Sequence, residues 1–318
     1  MRIRLHTSRR RGKQRQLRRW VLLAGSVCTL LFCVFGLARY FLNARRSALI
    51  AQTFQELYYS ETERQEEQQA LAQRSPILKQ FEVSFVRAAA ENDTAAPTEK
   101  PIVSAWPGNP SMTISPSLKK LRQQNKDIVG WLILPDSLGQ AVVQRDNEYY
   151  LKRDYLGYHN ANGALFLEES ISLKTRPDTY IIFGHNMKTG DMFGSLRLYE
   201  DVGFYRRHAL IDFNVMYEEG QYAVFAIADV DTVQRMKRYV PFMQLPGMET
   251  QARNDCIQKL QAYSQIYSPL PVNADDQLLL LVTCEGTEEN RRVVAARRLR
   301  EGETAETIQD LLQNARKK

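Results

Sequence analysis

The chain has 318 residues, of which 44% are hydrophobic and 25% are charged. These are ordinary values for a globular protein, and they exclude a wholly disordered chain, a collagen-like repeat and a polytopic membrane protein. The net charge is +7, but residues 1–19 hold nine Lys and Arg side chains and no acidic one, and without these nine the net charge is −2. The basic character therefore belongs to an N-terminal tail.

The basic tail leads directly into residues 20–38, an apolar segment of 19 residues without a charge. About 20 such residues cross a bilayer as a helix. More positive charges precede the segment than follow it, which predicts a cytoplasmic N-terminus and an extracellular body. A cleaved signal peptide is the alternative, but its apolar region would be shorter, and no clean cleavage site follows. An uncleaved signal anchor also explains the basic tail better than nucleic-acid binding does.

After the anchor, residues 44–72 have a helical pattern, and residues 88–118 hold five prolines among many small and polar side chains. The second composition is typical of a poorly ordered linker. We therefore expect five regions, which are a basic cytoplasmic tail (1–19), a transmembrane signal anchor (20–38), an extracellular helix and linker (39–116), a catalytic domain (117–300) and a charged C-terminal tail (301–318).

Short β-segments dominate the chain from residue 128 onward, separated by clusters of Gly, Asn, Asp and Pro. The candidates are Trp131–Leu134, Ala141–Gln144, Ala164–Leu167, Thr179–Phe183, Ala209–Tyr217, Tyr222–Asp229, Leu278–Thr283 and Arg291–Leu299. Eight such strands predict a mainly β fold, a closed or nearly closed barrel. One late helix is expected at about residues 249–265, with Ala252, Cys256, Leu260 and Tyr263 on its apolar face.

Four histidines are candidates for acid–base chemistry. His6 lies in the basic tail, His208 begins a predicted strand beside two arginines, and His159 lies in a polar loop typical of a turn. His185 differs, because it follows an apolar strand and a glycine that allows backbone or substrate to approach closely. We take His185 as the candidate acid–base residue, although this pattern alone also fits a structural role.

Two cysteines, Cys256 and Cys284, lie outside the apolar segment, which is fewer than a disulfide-dependent extracellular domain normally has. For Cys256, on a helix, a buried inert thiol explains the pattern. Cys284 ends an apolar strand, and a polar stretch separates it from a strand that opens with Arg291 and Arg292. A cation near a thiol lowers the thiol pKa, and an arginine can also stabilise an oxyanion. A solvent-exposed strand end is the alternative for the two arginines.

Several segments between residues 117 and 300 resemble, in the same order, the motifs of class B sortases. The segments are Asn125–Leu132, Ala141–Gln144, Asp146–Leu151, Ile181–Met187 with Gly190–Leu196, and Leu281–Cys284. The block around His185 is the most specific of them. The cysteine motif of the family usually opens with Thr, where this chain has Leu280.

This resemblance implies a sortase β-barrel and a thiol transpeptidase that attaches secreted proteins to the cell wall of Gram-positive bacteria. It implies that Cys284 is the nucleophile, that His185 transfers protons, and that Arg291 holds the substrate and stabilises the oxyanion. It further implies that Thr283 and Asn186 contact the substrate. No cofactor and no metal are expected.

The choice of arginine rests on the pattern of the family's strand, which reads Arg, one variable residue, then Val-Val. Arg291 matches the first position, and Arg292 is then the variable residue on the opposite face. The predicted helix at 249–265 also resembles an addition found in class B sortases.

The expected substrates are secreted proteins with a C-terminal sorting signal, cleaved after a threonine. The acyl group would pass to an amine of peptidoglycan, of a lipid-linked precursor, or of a pilin lysine. Two alternatives stay open, which are an exported cysteine hydrolase and an anchored binding module without activity. No nucleic-acid partner is expected.

Overall fold

The computed structural model of the chain describes residues 5–74, 106–135, 137–285 and 287–318. For some of these residues, Cys284 among them, it describes only the backbone. Most of the predicted linker, residues 88–105, lies outside the described residues. The chain divides into two compact units, Met1–Ala51 and Gln52–Lys318. The second unit contains every strand described below.

The first helix, α1, covers Leu5–Arg74 and includes the predicted anchor. Its portion Trp20–Glu61 contains a stretch with a mean hydropathy of 2.4 and no buried residue, so its length and composition suit a membrane span. Further along α1, inside the second unit, Phe54 and Tyr58 are buried. The Tyr58 ring stacks on Trp131 with 4.6 Å between ring centroids, and Phe54 packs against Tyr155.

Eight strands form a closed ring, in the order β1-β2-β3-β4-β8-β9-β6-β5, with β5 pairing back to β1. They are β1 (Ile128–Ile133), β2 (Gln140–Val143), β3 (Phe166–Leu167), β4 (Thr179–Phe183), β5 (Leu210–Val215), β6 (Gln221–Asp231), β8 (Leu278–Glu285) and β9 (Thr287–Arg298). The pairs β2–β3 and β4–β8 are parallel, and the others are antiparallel. The predicted eight-stranded fold with added helices is therefore confirmed.

Among the described residues, four shorter α-helices lie around this barrel, and two short strands pair outside it. The helices are α2 (Pro116–Gln124), α3 (Val202–His208), α4 (Thr250–Tyr263) and α5 (Ala305–Leu312), and the strands are β7 (Ile266–Tyr267) and β10 (Arg316–Lys317). His208, expected to begin a strand, instead ends α3, where its ring contacts Phe204.

The hairpin of β8 and β9 is longer than its sequence predicts. The polar residues 285–290 were expected to form a loop, but β8 continues to Glu285 and β9 begins at Thr287. Asn290 pairs with Asp231 of the neighbouring β6, so pairing with a third strand holds these polar residues in the sheet. Cys284 is consequently the second-last residue of its strand.

Helix α4 buries a different side chain from the one its pattern predicts. Ala252 is exposed, and the adjacent Arg253 is buried with Cys256 and Leu260. The guanidinium of Arg253 donates hydrogen bonds to four backbone carbonyls and to the Thr179 hydroxyl. A buried arginine is tolerated because its donors all find acceptors.

The predicted charged tail, residues 301–318, is an integral part of the folded unit. It forms α5, whose Ile308 and Leu312 are buried, and β10, which pairs with β7. Arg297 of β9 is fully buried and contacts Glu303 of this segment at 2.6 Å.

Candidate active site

Strand order brings three predicted functional residues to one edge of the barrel. His185 follows β4, and β4 runs parallel to β8 with Phe183 opposite Val282. Parallel neighbours end at the same edge of a sheet, so His185 lies near the end of β8. In the antiparallel hairpin, Cys284 of β8 is the direct register partner of Arg291 of β9.

A cavity of ≈ 260 Å³ opens at this edge, and His185, Thr283 and Arg291 all contribute to its wall. The rest of the wall is mainly apolar and comprises Asn147, Leu151, Phe166, Phe183, Gly184, Met243 and Val282. Such a cavity, apolar with few polar groups, is typical of a site that binds part of a ligand.

The imidazole of His185 is oriented by the backbone. Its Nε2 lies 2.7 Å from the carbonyl oxygen of Leu151. A carbonyl oxygen only accepts hydrogen bonds, so Nε2 carries a proton in this arrangement and Nδ1 is the nitrogen that can exchange one. A carboxylate has this orienting role in serine protease triads, and here a main-chain carbonyl takes it.

Two glycines allow this close packing around the histidine. A Cβ on Gly184 would lie 2.5 Å from the Leu165 side chain and 2.8 Å from the Phe193 ring, so a larger residue would have to displace them. Gly163 has a φ of +61°, and a Cβ there would lie 2.8 Å from the Tyr150 carbonyl oxygen and 3.1 Å from the His185 ring. The glycine before His185 therefore allows the protein's own side chains to pack closely.

The neighbouring arginines of β9 lie in different surroundings. Arg291 contributes to the cavity beside His185. Arg292 is buried, and it donates to both carboxylate oxygens of Asp229 at 2.9 and 3.1 Å and pairs with Glu200 at 2.6 Å. Alternation along a strand directs adjacent side chains to opposite faces, which explains the difference.

The two residues expected to contact substrate lie in different places. Thr283 contributes to the cavity wall, but its register partner is Arg292. Its buried hydroxyl has no hydrogen-bond partner among the described residues. Asn186 is exposed and lines a second, larger cavity, so the structure does not bring it into the first one.

Cys256 has the properties of an inert thiol. It is buried in α4, and burial raises its pKa to about 12, so it stays protonated at neutral pH. Within the part of the chain that the structure describes, no group of three or more His, Cys, Asp or Glu side chains is arranged to hold a metal ion.

Seven wall residues of the cavity, Asn147, Leu151 and Met243 among them, were not predicted as site residues. Asn147 and Leu151 belong to a segment that resembles a family motif, so this motif is the signal that could have identified them. Met243 lies in a short 3-10 helix before α4, where no local pattern indicates a site.

The curated proteins that are similar to this chain belong to one family. No family model matches the chain. The chain is 31% identical over 170 residues to Sortase B of Listeria monocytogenes, covering 53% of this chain and 67% of that protein. It is 28% identical over 190 residues to Sortase B of Staphylococcus aureus, covering 58% of this chain and 75% of that protein.

Solved structures are similar in fold. Sortase B from B. anthracis in complex with AAEK1 matches 82% of this chain and 100% of its own, with a TM-score of 0.57 and 22% identity. A Staphylococcus aureus sortase B–substrate complex matches 60% of this chain and 88% of its own, with a TM-score of 0.51 and 28% identity. A sortase B complexed with triglycine matches 60% of this chain and 89% of its own, with a TM-score of 0.51 and 27% identity.

Proposed function

The chain belongs to the sortase B family, and from this premise we propose that it is a membrane-anchored cysteine transpeptidase acting on secreted proteins. The observation that supports the proposal is that His185 and Arg291 line one largely apolar cavity, while Cys284 is the register partner of Arg291. The active part of the chain corresponds to residues 117–300.

In the first half of the reaction, the sulfur of Cys284 attacks a threonyl carbonyl in the sorting signal. A C–S bond forms, and the negative charge that develops on the carbonyl oxygen is stabilised by the guanidinium of Arg291. His185 takes the proton of the Cys284 thiol as the C–S bond forms, and gives it to the leaving amine as the C–N bond breaks. The product of this half is a thioacyl enzyme.

In the second half, an amine attacks the thioester carbonyl. A new C–N bond forms, the C–S bond breaks, and His185 accepts the proton that the amine loses. The proton exchange would take place at Nδ1, because Nε2 is occupied by the Leu151 carbonyl. The cavity beside the histidine would hold an apolar part of the sorting signal.

The acceptor amine would belong to peptidoglycan, to its lipid-linked precursor or to a pilin lysine. A relative's structure with a substrate and another with triglycine support a peptide donor and an amine acceptor. The helix with residues 20–38 would anchor the enzyme with its N-terminus in the cytoplasm, since the positive charges precede it. Secreted proteins would meet the enzyme on the outer face.

The proposal is tested with the full chain in detergent and a library of peptides that contain a Thr-X bond. We expect a thioacyl adduct on Cys284 by mass spectrometry, and an amide product when triglycine is added. If the only product is the hydrolysed peptide, even when triglycine is present, the result would instead favour an exported cysteine hydrolase. A Cys284 that neither forms an adduct nor reacts with an alkylating reagent would favour a binding module. Cys256→Ala is the matched control for Cys284→Ala.

A further inference from the structure

A second cavity is lined in part by the chain neighbours of His185 and Arg291, and it has not been given a role. It measures ≈ 650 Å³, and we call it the charged cavity, lined by Asn186, Arg197, Glu200, Asp201, Arg207 and Arg292 together with two apolar side chains. Asn186 directly follows His185, and Arg292 directly follows Arg291. Because adjacent residues of a strand face opposite ways, the charged cavity lies on the face of β9 opposite to Arg291, one residue along the chain from both His185 and Arg291.

The negative groups of the charged cavity are held in place. Glu200 contacts Arg292 at 2.6 Å, and Arg292 is itself fixed by Asp229. Asp201 is the N-cap of α3, where its carboxylate accepts a hydrogen bond from the Phe204 amide. A ligand that used these carboxylates would find them already oriented, which lowers the entropic cost of binding.

The positive groups of the charged cavity are more accessible. Arg197 and Arg207 are exposed, and neither makes an ion pair with a described residue. Arginine is well suited to bind a carboxylate through two parallel hydrogen bonds. The cavity therefore offers carboxylates and available guanidiniums together, which fits a ligand that carries charges of both signs.

We propose that the charged cavity binds the acceptor of the second half-reaction, a peptide with a free ammonium group and a carboxylate. This inference rests on the proposed function, which requires an amine to reach the thioester on Cys284. Arg197 and Arg207 hold the carboxylate, and Glu200 attracts the ammonium toward Asn186 and His185. The ammonium loses one proton to solvent, and the resulting amine attacks the thioester carbonyl. As the C–N bond forms and the C–S bond breaks, His185 takes the second proton and returns it to the sulfur of Cys284.

The test compares three nucleophiles with the thioacyl form of the full chain. Triglycine has an amine and a carboxylate, triglycinamide has the amine alone, and hydroxylamine is small and uncharged. For Arg207→Gln we expect the KM for triglycine to rise about fivefold, the upper range for one exposed charge pair. The KM for triglycinamide should change less than about twofold, and the rate with hydroxylamine should not change.

Glu200→Gln should raise the KM for both peptides, because both carry the ammonium. The matched controls are Arg235→Gln and Glu249→Gln, two exposed residues outside both cavities. Equal KM values for triglycine in the Arg207→Gln and unsubstituted chains would overturn the proposal, as would a similar loss with all three nucleophiles.

A binding measurement separates this proposal from the proposed function. Saturation-transfer NMR of triglycine with the full chain requires no turnover. If triglycine binds and Arg207→Gln weakens that binding, the acceptor site is supported even when no peptide is cleaved. If peptides are cleaved but Arg207→Gln leaves triglycine binding unchanged, the acceptor site is wrong and the proposed function stands.

Discussion

Arg291 and Arg292 show how much the environment of a residue depends on which face of a strand it occupies. Arg291 lies at the apolar cavity with His185, whereas Arg292 is a buried structural arginine bonded to Asp229 and Glu200. A lysine at either position keeps the charge and loses the planar group that makes two parallel hydrogen bonds. The same substitution should therefore have different effects at the two positions.

For Arg291→Lys we expect kcat to fall by about 10²–10³-fold with little change in KM, the range for losing one oxyanion donor. If Arg291 acts in substrate docking instead, KM rises while kcat stays near normal. For Arg292→Lys we expect nearly unchanged kcat and KM for the sorting peptide, and a loss of about 1–3 kcal/mol in the free energy of unfolding, because buried hydrogen bonds are lost. Steady-state kinetics and denaturant unfolding measure both, and a kinetic effect confined to Arg292→Lys would contradict the assignment.

Cys284 and Cys256 should also respond differently to the same substitution. Cys284→Ala should abolish the thioacyl adduct, and a substitution of His185 should block turnover. Cys256→Ala should keep activity and cost about 1–2 kcal/mol of unfolding free energy, as for a small truncation in the core. Mass spectrometry of the adduct and thermal unfolding provide the measurements. Cleavage of a sorting peptide by Cys284→Ala would show that the proposed mechanism is wrong.

At the scale of elements, two segments outside the eight-stranded ring are packed against it. Part of α1 within the second unit is held by the stack of Tyr58 on Trp131, by the hydrogen bond from Asn214 to the Tyr58 hydroxyl, and by Phe54 against Tyr155. The C-terminal segment is held by Arg297 and Glu303 and by the pairing of β10 with β7. Both segments should therefore contribute to stability.

Tyr58→Ala should lower the free energy of unfolding by about 3 kcal/mol, since it removes a buried aromatic ring. Tyr58→Phe keeps the stack and loses one hydrogen bond, so it should cost about 1 kcal/mol. Gln52→Ala is an exposed control on the same helix. Denaturant unfolding of the full chain measures the series. Equal stability of Tyr58→Ala and Gln52→Ala would mean that this part of α1 does not stabilise the barrel.

Glu303 predicts a dependence of stability on pH. Hydrogen bonds from Arg297 hold its pKa below the ordinary value of 4.5. A carboxyl with a lowered pKa in the folded state adds stability that is fully present above its ordinary pKa and is lost as the pH falls through the folded value. Glu303→Gln should lower the free energy of unfolding by about 2 kcal/mol at neutral pH, because it leaves the buried Arg297 without a carboxylate.

The loss of unfolding free energy caused by Glu303→Gln should become smaller below about pH 4, since the unsubstituted chain then also lacks the negative charge at position 303. Glu301→Gln, an exposed neighbour in the same segment, is the control and should show no such trend. Thermal unfolding as a function of pH tests the prediction. A cost that stays constant between pH 7 and pH 3 would rule out this ion pair as its cause.

At the scale of the whole molecule, the chain combines an exposed apolar helical stretch with a folded unit that begins at Gln52. Nine Lys and Arg side chains precede the apolar stretch, in residues 1–19, whereas Arg39, Arg45 and Arg46 follow it. This asymmetry favours an orientation with the tail in the cytoplasm and the folded unit outside.

Protease added to intact protoplasts should therefore degrade the folded unit and spare the basic tail. Antibodies against epitopes at the two termini would detect the difference, and lysed protoplasts are the control in which both are accessible. Recovery of a soluble form beginning near residue 40 would replace the anchor by a cleaved signal peptide.

Local patterns were sufficient for the features that depend on neighbours in the chain. The apolar run at 20–38, the short strands rich in Val, Ile, Phe and Tyr, and the helix at Thr250–Tyr263 were predictable, because each depends on residues within a few positions of one another. The block around His185 identified the family for the same reason. The motifs alone do not predict how their residues come together in the fold.

Contacts between distant segments were decided only by the tertiary structure. The carbonyl of Leu151 reaches His185 because the 3-10 helix Tyr149–Lys152 is hydrogen-bonded to Ala164, just before β3, and β3 pairs with β4. Asn186 lines the charged cavity, although its neighbour His185 lines the apolar one. Arg253, and not the predicted Ala252, is buried, because its guanidinium is hydrogen-bonded to carbonyls of other loops. These positions depend on strand order and packing between residues far apart in sequence, which no local pattern encodes.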